Sequence, residues 1–102
     1  MAIKKITAIV HEDFQERLIE ELHQHGVPGA SVFKVKGYGE YINTYDSLEP
    51  SIKVEVFADE SVANKIAAII MQVAGSGTEG DGIVAISPVD CLFRVRDRKQ
   101  FT

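Results

Sequence analysis

Two stretches of this chain carry residues whose types and spacing could do chemistry. The first, Gly75-Ser76-Gly77-Thr78-Glu79-Gly80-Asp81-Gly82, puts four glycines in eight residues at a connection that about two or three residues could make. Successive backbone N–H groups in such a turn can form a concave nest for phosphate oxygens. Glycine also lets a ligand approach the main chain closely, at a high cost in ordering entropy. The loop is therefore either floppy or shaped around a ligand; no Walker-type lysine follows, and it precedes a strand rather than a helix. The second stretch, Leu92-Phe93-Arg94-Val95-Arg96, alternates so that Arg94 and Arg96 leave one strand on the same side. Two guanidinium groups on one face recognise a polyanion better than a point charge does. With Arg98 and Lys99 beside them, a chain of net charge −4 gathers positive charge over residues 94–99. The alternative is a solvated edge strand whose charges discourage edge pairing.

Other chemistries find less support. His11, His23 and His25 lie on or beside one expected helix, and His23 and His25 do not share a face. Solvated histidines are the expectation, with no metal site. Gly75-Ser76-Gly77 has the wrong spacing for a Gly-x-Ser-x-Gly nucleophile turn, so no catalytic residue is assigned and no enzyme is expected. The one cysteine, Cys91, cannot pair internally and reads as a small apolar strand residue. The acidic balance argues against nucleic-acid binding, which needs a basic footprint.

The positioning elements follow from periodicity. With 102 residues, 45% of them hydrophobic and 25% charged, a single domain over 1–102 is expected. No run is apolar enough to cross a bilayer, and Met-Ala-Ile-Lys-Lys-Ile lacks a signal peptide's apolar region. A cytoplasmic location is expected. Ile3 to Val10 reads as a strand with Ile6, Ala8 and Val10 on one face. His11-Glu12-Asp13 opens a helix with Phe14, Leu18, Ile19 and Leu22 at helical spacing, stopped by Gly26 and Pro28. Strands are expected over about Ala30 to Tyr38 and Ile52 to Phe57, joined by the long connection Gly39 to Pro50. A second helix opens at Asp59-Glu60-Ser61 and buries Val62, Ile66, Ile69, Ile70 and Val73. Strands Ile83 to Ile86 and Cys91 to Arg96 close the chain.

This order is the split pattern of an α+β, ferredoxin-like βαββαβ sandwich with a short C-terminal strand. Its helices can cover only one face of the sheet. Phe33, Val35 and Phe57 are candidates for the other face, which favours an oligomer over a monomer.

The chain also resembles the PII signal-transduction proteins. Lys4-Lys5-Ile6-Thr7-Ala8-Ile9-Val10, Val35-Lys36-Gly37-Tyr38-Gly39, the loop Ser76 to Gly82 and Arg94-Val95-Arg96 fall in that family's order and spacing over nearly the whole chain. The resemblance implies a homotrimer of ferredoxin-like subunits that binds adenine nucleotides in clefts between neighbours. It implies a partner-contacting T-loop over about residues 40–50, a phosphate-wrapping B-loop over 75–82, and a C-loop over 91–102 arriving from the adjacent subunit. Carried over, Gly37, Tyr38 and Gly39 would frame the cleft, Ser31 would lie near the adenine, and Ile9 would line its apolar wall. Ser76, Gly77, Thr78, Gly80, Asp81 and Gly82 would shape the phosphate and ribose end, while Arg94 and Arg96 would neutralise phosphates.

The departures are specific. Where the family has Thr-Gly-Lys-Ile-Gly-Asp-Gly-Lys, the two lysine positions hold Thr78 and Ile83. Losing two cations costs the most highly charged ligand most, so ADP or AMP is expected to compete well with ATP. The T-loop is shorter and lacks the segment carrying the uridylylated tyrosine. Tyr41 stands at the glutamine that helps hold magnesium and 2-oxoglutarate, and Ser51 at a carboxylate-gripping lysine. Tyr41 and Tyr45 read either as partner contacts or as ordinary loop tyrosines packed on the sheet. The preferred reading is a regulator that reads adenylates, with no cofactor, and signals to a transporter or enzyme target linked by analogy to bicarbonate and inorganic carbon. The alternatives are nitrogen-type sensing of ATP and 2-oxoglutarate, a slow ATP-hydrolysing enzyme on the same scaffold, and a plain oligomerisation or metal-tolerance module.

Overall fold

A computed structural model describes residues 2–37, 50–77 and 81–102. Its elements run β1 (Ile3–His11), a 3-10 turn (Glu12–Phe14), α1 (Gln15–Gln24), β2 (Ser31–Val35), β3 (Ser51–Asp59), α2 (Glu60–Ala74) and β4 (Ile83–Pro88). The sheet has the order β2-β3-β1-β4 with every neighbouring pair antiparallel. β1 and β2 are consequently parallel but not adjacent, and so are β3 and β4. Each helix therefore spans from one strand over its neighbour, giving the expected interleaved ferredoxin-like arrangement. β3 runs two residues beyond its expected end at Phe57, and β4 two beyond Ile86, because β1 supplies partners as far as Ile3↔Asp59 and Lys4↔Pro88.

Period-two alternation decides which face is covered. Ile6, Ala8 and Val10 pair with Val56, Val54 and Ile52, and all six are buried with Leu18, Leu22, Ile66, Ile69, Ile70 and Val73 from the helices. On the opposite face Lys5, Thr7 and Ile9 pair with Phe57, Glu55 and Lys53. Phe33 and Phe57 remain 45% and 47% exposed there. The Lys53 ammonium lies 4.9 Å from the Phe33 ring centre and 3.4 Å from Glu55.

The helix ends are set by local chemistry. α1 closes in a Schellman turn, in which Gly26 at φ +82° donates to His23 O at 3.1 Å and Val27 donates to Leu22 O at 3.0 Å. α2 opens on Asp59, whose carboxylate accepts from the Ser61 N–H at 3.0 Å and from the Ser61 hydroxyl. It ends at Gly75, whose N–H donates to Met71 O at 2.9 Å and where a Cβ would lie 2.5 Å from that oxygen. One member of the expected apolar stripe departs from it: Val62 is 40% exposed. It stands on the first turn of α2, beside a cavity rather than under the sheet.

Ile70 is fully buried at the centre of this core, so Ile70→Ala should lower unfolding free energy by about 2–5 kcal/mol, read from urea denaturation. The Ser61 hydroxyl, then its N–H, hold the Asp59 carboxyl below the usual aspartate range. A depressed carboxyl stabilises the fold above its unfolded pKa and loses that effect as pH falls through its folded value. Asp59→Ala should therefore melt at lower temperature than the parent at pH 7, and thermal melts should show the gap closing below about pH 4.

Candidate functional site

The glycine-rich loop begins where α2 runs out and ends where β4 begins, at the C-terminal end of β1. Its described residues are tied together by one carboxylate. Asp81 Oδ2 accepts from the Ser76 and Gly77 N–H groups at 2.8 Å each, and Oδ1 accepts from the Ser76 hydroxyl. Gly77 is at φ +83°, in the left-handed region that glycine occupies without strain. The loop's far end is pinned harder still. Gly82 is at φ +107°, and a Cβ there would sit 1.9 Å from Ile9 O and 3.2 Å from Val10 Cα. The described residues are thus held by the loop's own Asp81 carboxylate and by the close approach at Gly82. Beneath them an apolar cavity of about 220 Å³ is walled by Val10, Ile70, Ala74 and Val84.

The fold brings several expected site residues to this same end. Ile9 is paired with Ile83 on the uncovered face, and its carbonyl faces Gly82. Gly37 follows β2, whose last residue Val35 lies opposite Ser51, which in turn lies opposite His11. Pro50 re-enters beside them, its carbonyl accepting from Glu12 N at 3.3 Å. Ser31, by contrast, is exposed at the start of the edge strand β2 and pairs with Glu55. Tyr38, Gly39, Tyr41, Tyr45, Thr78 and Gly80 lie outside the described residues.

The arginine tail lies at the other end of the sheet. β4 finishes at Pro88 opposite Lys4, and Val89 N donates to Ile3 O at 3.2 Å. Five residue steps along β1 separate that point from Ile9, or about 17 Å at the rise of an antiparallel strand. Within one protomer the tail and the glycine loop are thus on opposite sides of the molecule.

Tail geometry corrects the expected strand over Cys91–Arg96. The segment folds back on itself, with Arg94 N donating to Lys99 O at 2.8 Å, Phe101 N to Leu92 O at 2.8 Å, and a bridge between Phe93 and Gln100. Residues 95–97 form the turn, and Arg98 takes φ +60°. The stretch pairs with its own other arm rather than with the sheet. Arg94 and Arg96 then do not stand on a common strand face. Arg94 donates from Nε to Asp97 Oδ1 at 3.1 Å and from Nη2 to Oδ2 at 2.5 Å. Lys99 N donates to the same carboxylate at 3.0 Å. Asp97 consequently raises the Arg94 pKa, while Arg94, and then the Lys99 N–H, hold Asp97 below the usual aspartate range. Arg96 is exposed, without an ion-pair partner among the described residues.

Sequence reasoning missed two residues that organise this tail. Asp97 closes the turn, and Phe101 packs back so that its ring centre lies 5.5 Å from the Arg94 guanidinium and 5.6 Å from the Lys99 ammonium. An aspartate three residues after an arginine and a second aromatic after a run of polar residues were the available signals. Leu92 and Phe101 also wall an apolar cavity of about 490 Å³ with Val27, Pro28, Phe57 and Val62. Among the described residues no group of three or more His, Cys, Asp or Glu side chains could hold a metal ion. No described helix is long and apolar enough to cross a membrane.

Comparison with known proteins agrees with this geometry. Residues 3–99 match the family model described as Nitrogen regulatory protein P-II. The chain is 31% identical over 103 residues to the nitrogen regulatory protein P-II of Azospirillum brasilense, covering 92% of each chain. It is 36% identical over 106 residues to that of Cereibacter sphaeroides, again covering 92% of each. The crystal structure of Arabidopsis thaliana PII bound to citrate superposes with a TM-score of 0.83 at 24% identity, over 96% of this chain and 84% of that one. That likeness shows the fold.

Gly82→Ala should be costly, because both the positive φ and the Ile9 carbonyl oppose a side chain. The expected loss of stability is about 1–3 kcal/mol or more by denaturant unfolding, while Gly29→Ala, where a Cβ meets nothing within 4 Å, should be tolerated.

Proposed function

This chain belongs to the nitrogen regulatory protein P-II family, and from that membership we propose that it is a non-catalytic, cytoplasmic homotrimer that binds adenine nucleotides and signals to a partner protein. One observation carries the reading: the glycine-rich loop tied by Asp81 and the tail carrying Arg94 and Arg96 sit at opposite ends of one protomer. A subunit cannot bring its own arginines to its own loop. In a closed ring, each protomer's tail reaches the next protomer's loop, so every site is shared between neighbours. The uncovered sheet face with Phe33 and Phe57 supplies apolar surface across which the subunits meet.

Adenine nucleotide fits this division, with the loop over 75–82 and the side chains of Arg94 and Arg96 at the phosphates. Thr78 and Ile83 supply no charge, so the site favours ADP or AMP relative to ATP. Asp81 is committed to the loop's own N–H groups and is a poor general base for hydrolysis. The segment at about residues 40–50, carrying Tyr41 and Tyr45, contacts the partner, a transporter or an enzyme, with inorganic carbon uptake as the preferred setting. Nucleotide controls that segment only insofar as it binds its two states with different affinity. The names of the curated relatives support a second reading, nitrogen sensing through ATP and 2-oxoglutarate.

Isothermal titration with AMP, ADP and ATP, each with and without bicarbonate and 2-oxoglutarate, separates these readings. Binding of AMP or ADP that responds to bicarbonate is expected. ATP binding strengthened by 2-oxoglutarate would favour the nitrogen reading, and silence from all three nucleotides would refute adenylate sensing. Arg94→Ala and Arg96→Ala should each weaken adenylate binding by at least about tenfold, with light scattering still reporting a trimer. Unchanged affinity in both would remove the phosphate role of the tail.

A further inference from the structure

We infer that Asp97 is a specificity-determining residue: an internal competitor that occupies Arg94 and must be displaced before Arg94 can bind a phosphate. The inference rests on the adenylate reading above and adds a residue to it. Arg94 presents Nε and Nη2 to the two oxygens of Asp97 at 3.1 and 2.5 Å. This is the paired, parallel geometry through which a guanidinium grips a phosphate. The same two N–H groups cannot serve both anions.

Three features keep the competitor in place. Asp97 lies only three residues from Arg94, across a turn closed by the Arg94 N–H to Lys99 carbonyl bond of 2.8 Å. Its Oδ1 also accepts from Lys99 N at 3.0 Å, so the carboxylate is anchored independently of Arg94. The guanidinium itself rests against Phe101. Because the competing anion is tethered, dilution does not remove it, and apparent affinity falls by the fraction of molecules in which Arg94 is free.

Such a latch discriminates by charge. A carboxylate or bicarbonate monoanion offers Arg94 no more than Asp97 already does. A phosphate bearing two negative charges offers more, and wins. Arg96, with no ion-pair partner among the described residues, is available to make the first contact. Asp97 is itself well exposed, so water can solvate it once Arg94 turns away.

The test is titration of the full-length protein with ADP and AMP, comparing the parent, Asp97→Asn, Asp97→Glu, Arg94→Ala and the Arg94→Ala/Asp97→Asn pair. Asparagine retains an acceptor for Lys99 N and removes the charge, so the turn should survive, which thermal melts and light scattering would verify. Expected is a gain in ADP affinity of about three- to tenfold for Asp97→Asn. That gain should vanish in the Arg94→Ala background, and Asp97→Glu, which keeps the charge, should restore weaker binding. ADP binding that is unchanged or weakened in Asp97→Asn, or a gain that persists without Arg94, overturns the latch and leaves the adenylate reading standing. Absence of binding in the parent together with binding in Asp97→Asn supports the latch in its strongest form. Absence in every variant overturns the adenylate reading, and the latch with it.

Discussion

The missing side chain at Gly82 is the constraint on which the rest of this structure turns. With its Cα pressed against the Ile9 carbonyl, the chain can leave the glycine-rich loop directly onto the edge of β1 and start β4 in register, Ile83 opposite Ile9. A bulkier residue would have to lift the loop off the sheet or shift that register. Since a one-residue slip exchanges the two faces of a strand, the same contact fixes Val84 toward the core and Ile83 and Ala85 away from it. Loop geometry and core packing are thus joined at one residue.

From that point the molecule's polarity follows. Antiparallel pairing of β4 with β1 carries the chain away from the loop, so the cationic tail must emerge at the opposite end. Both helices cover one face because apolar residues on β1 and β3 alternate in phase. The other face is left to Lys53, Glu55, Phe33 and Phe57, a mixture that neither dissolves freely nor forms a core of its own. A chain built this way carries a glycine-rich loop and a cationic tail at opposite ends, with a half-apolar surface between them.

Electrostatics orders the tail as well. The chain is acidic overall, and its cations over residues 94–99 are not uniformly available. Asp97 engages Arg94 and the Lys99 backbone, and Phe101 gathers the guanidinium and the ammonium near one ring. These four residues thus fold the tail into a compact unit, with Arg96 exposed on its turn.

The sequence by itself determined the four sheet strands, the two helices and the stop of the first at Gly26. It also determined the buried faces and the family resemblance carried by the glycine loop and the arginine tail. These are local signals: an alternation of period two or 3.6, a capping Asp59 beside Ser61, glycines where φ turns positive. Only the tertiary structure decided what those elements meet. Periodicity put Val62 on a buried stripe, but the first turn of α2 overhangs a cavity because the neighbouring tail lines it rather than filling it. Alternation put Arg94 and Arg96 on one strand face, yet a strand needs a neighbour, and this stretch found its own other arm instead. The separation of the loop from the tail likewise depends on strand order, which no window of sequence contains. Side-chain spacing records the conformation a segment prefers, whereas its partners come from chain far away.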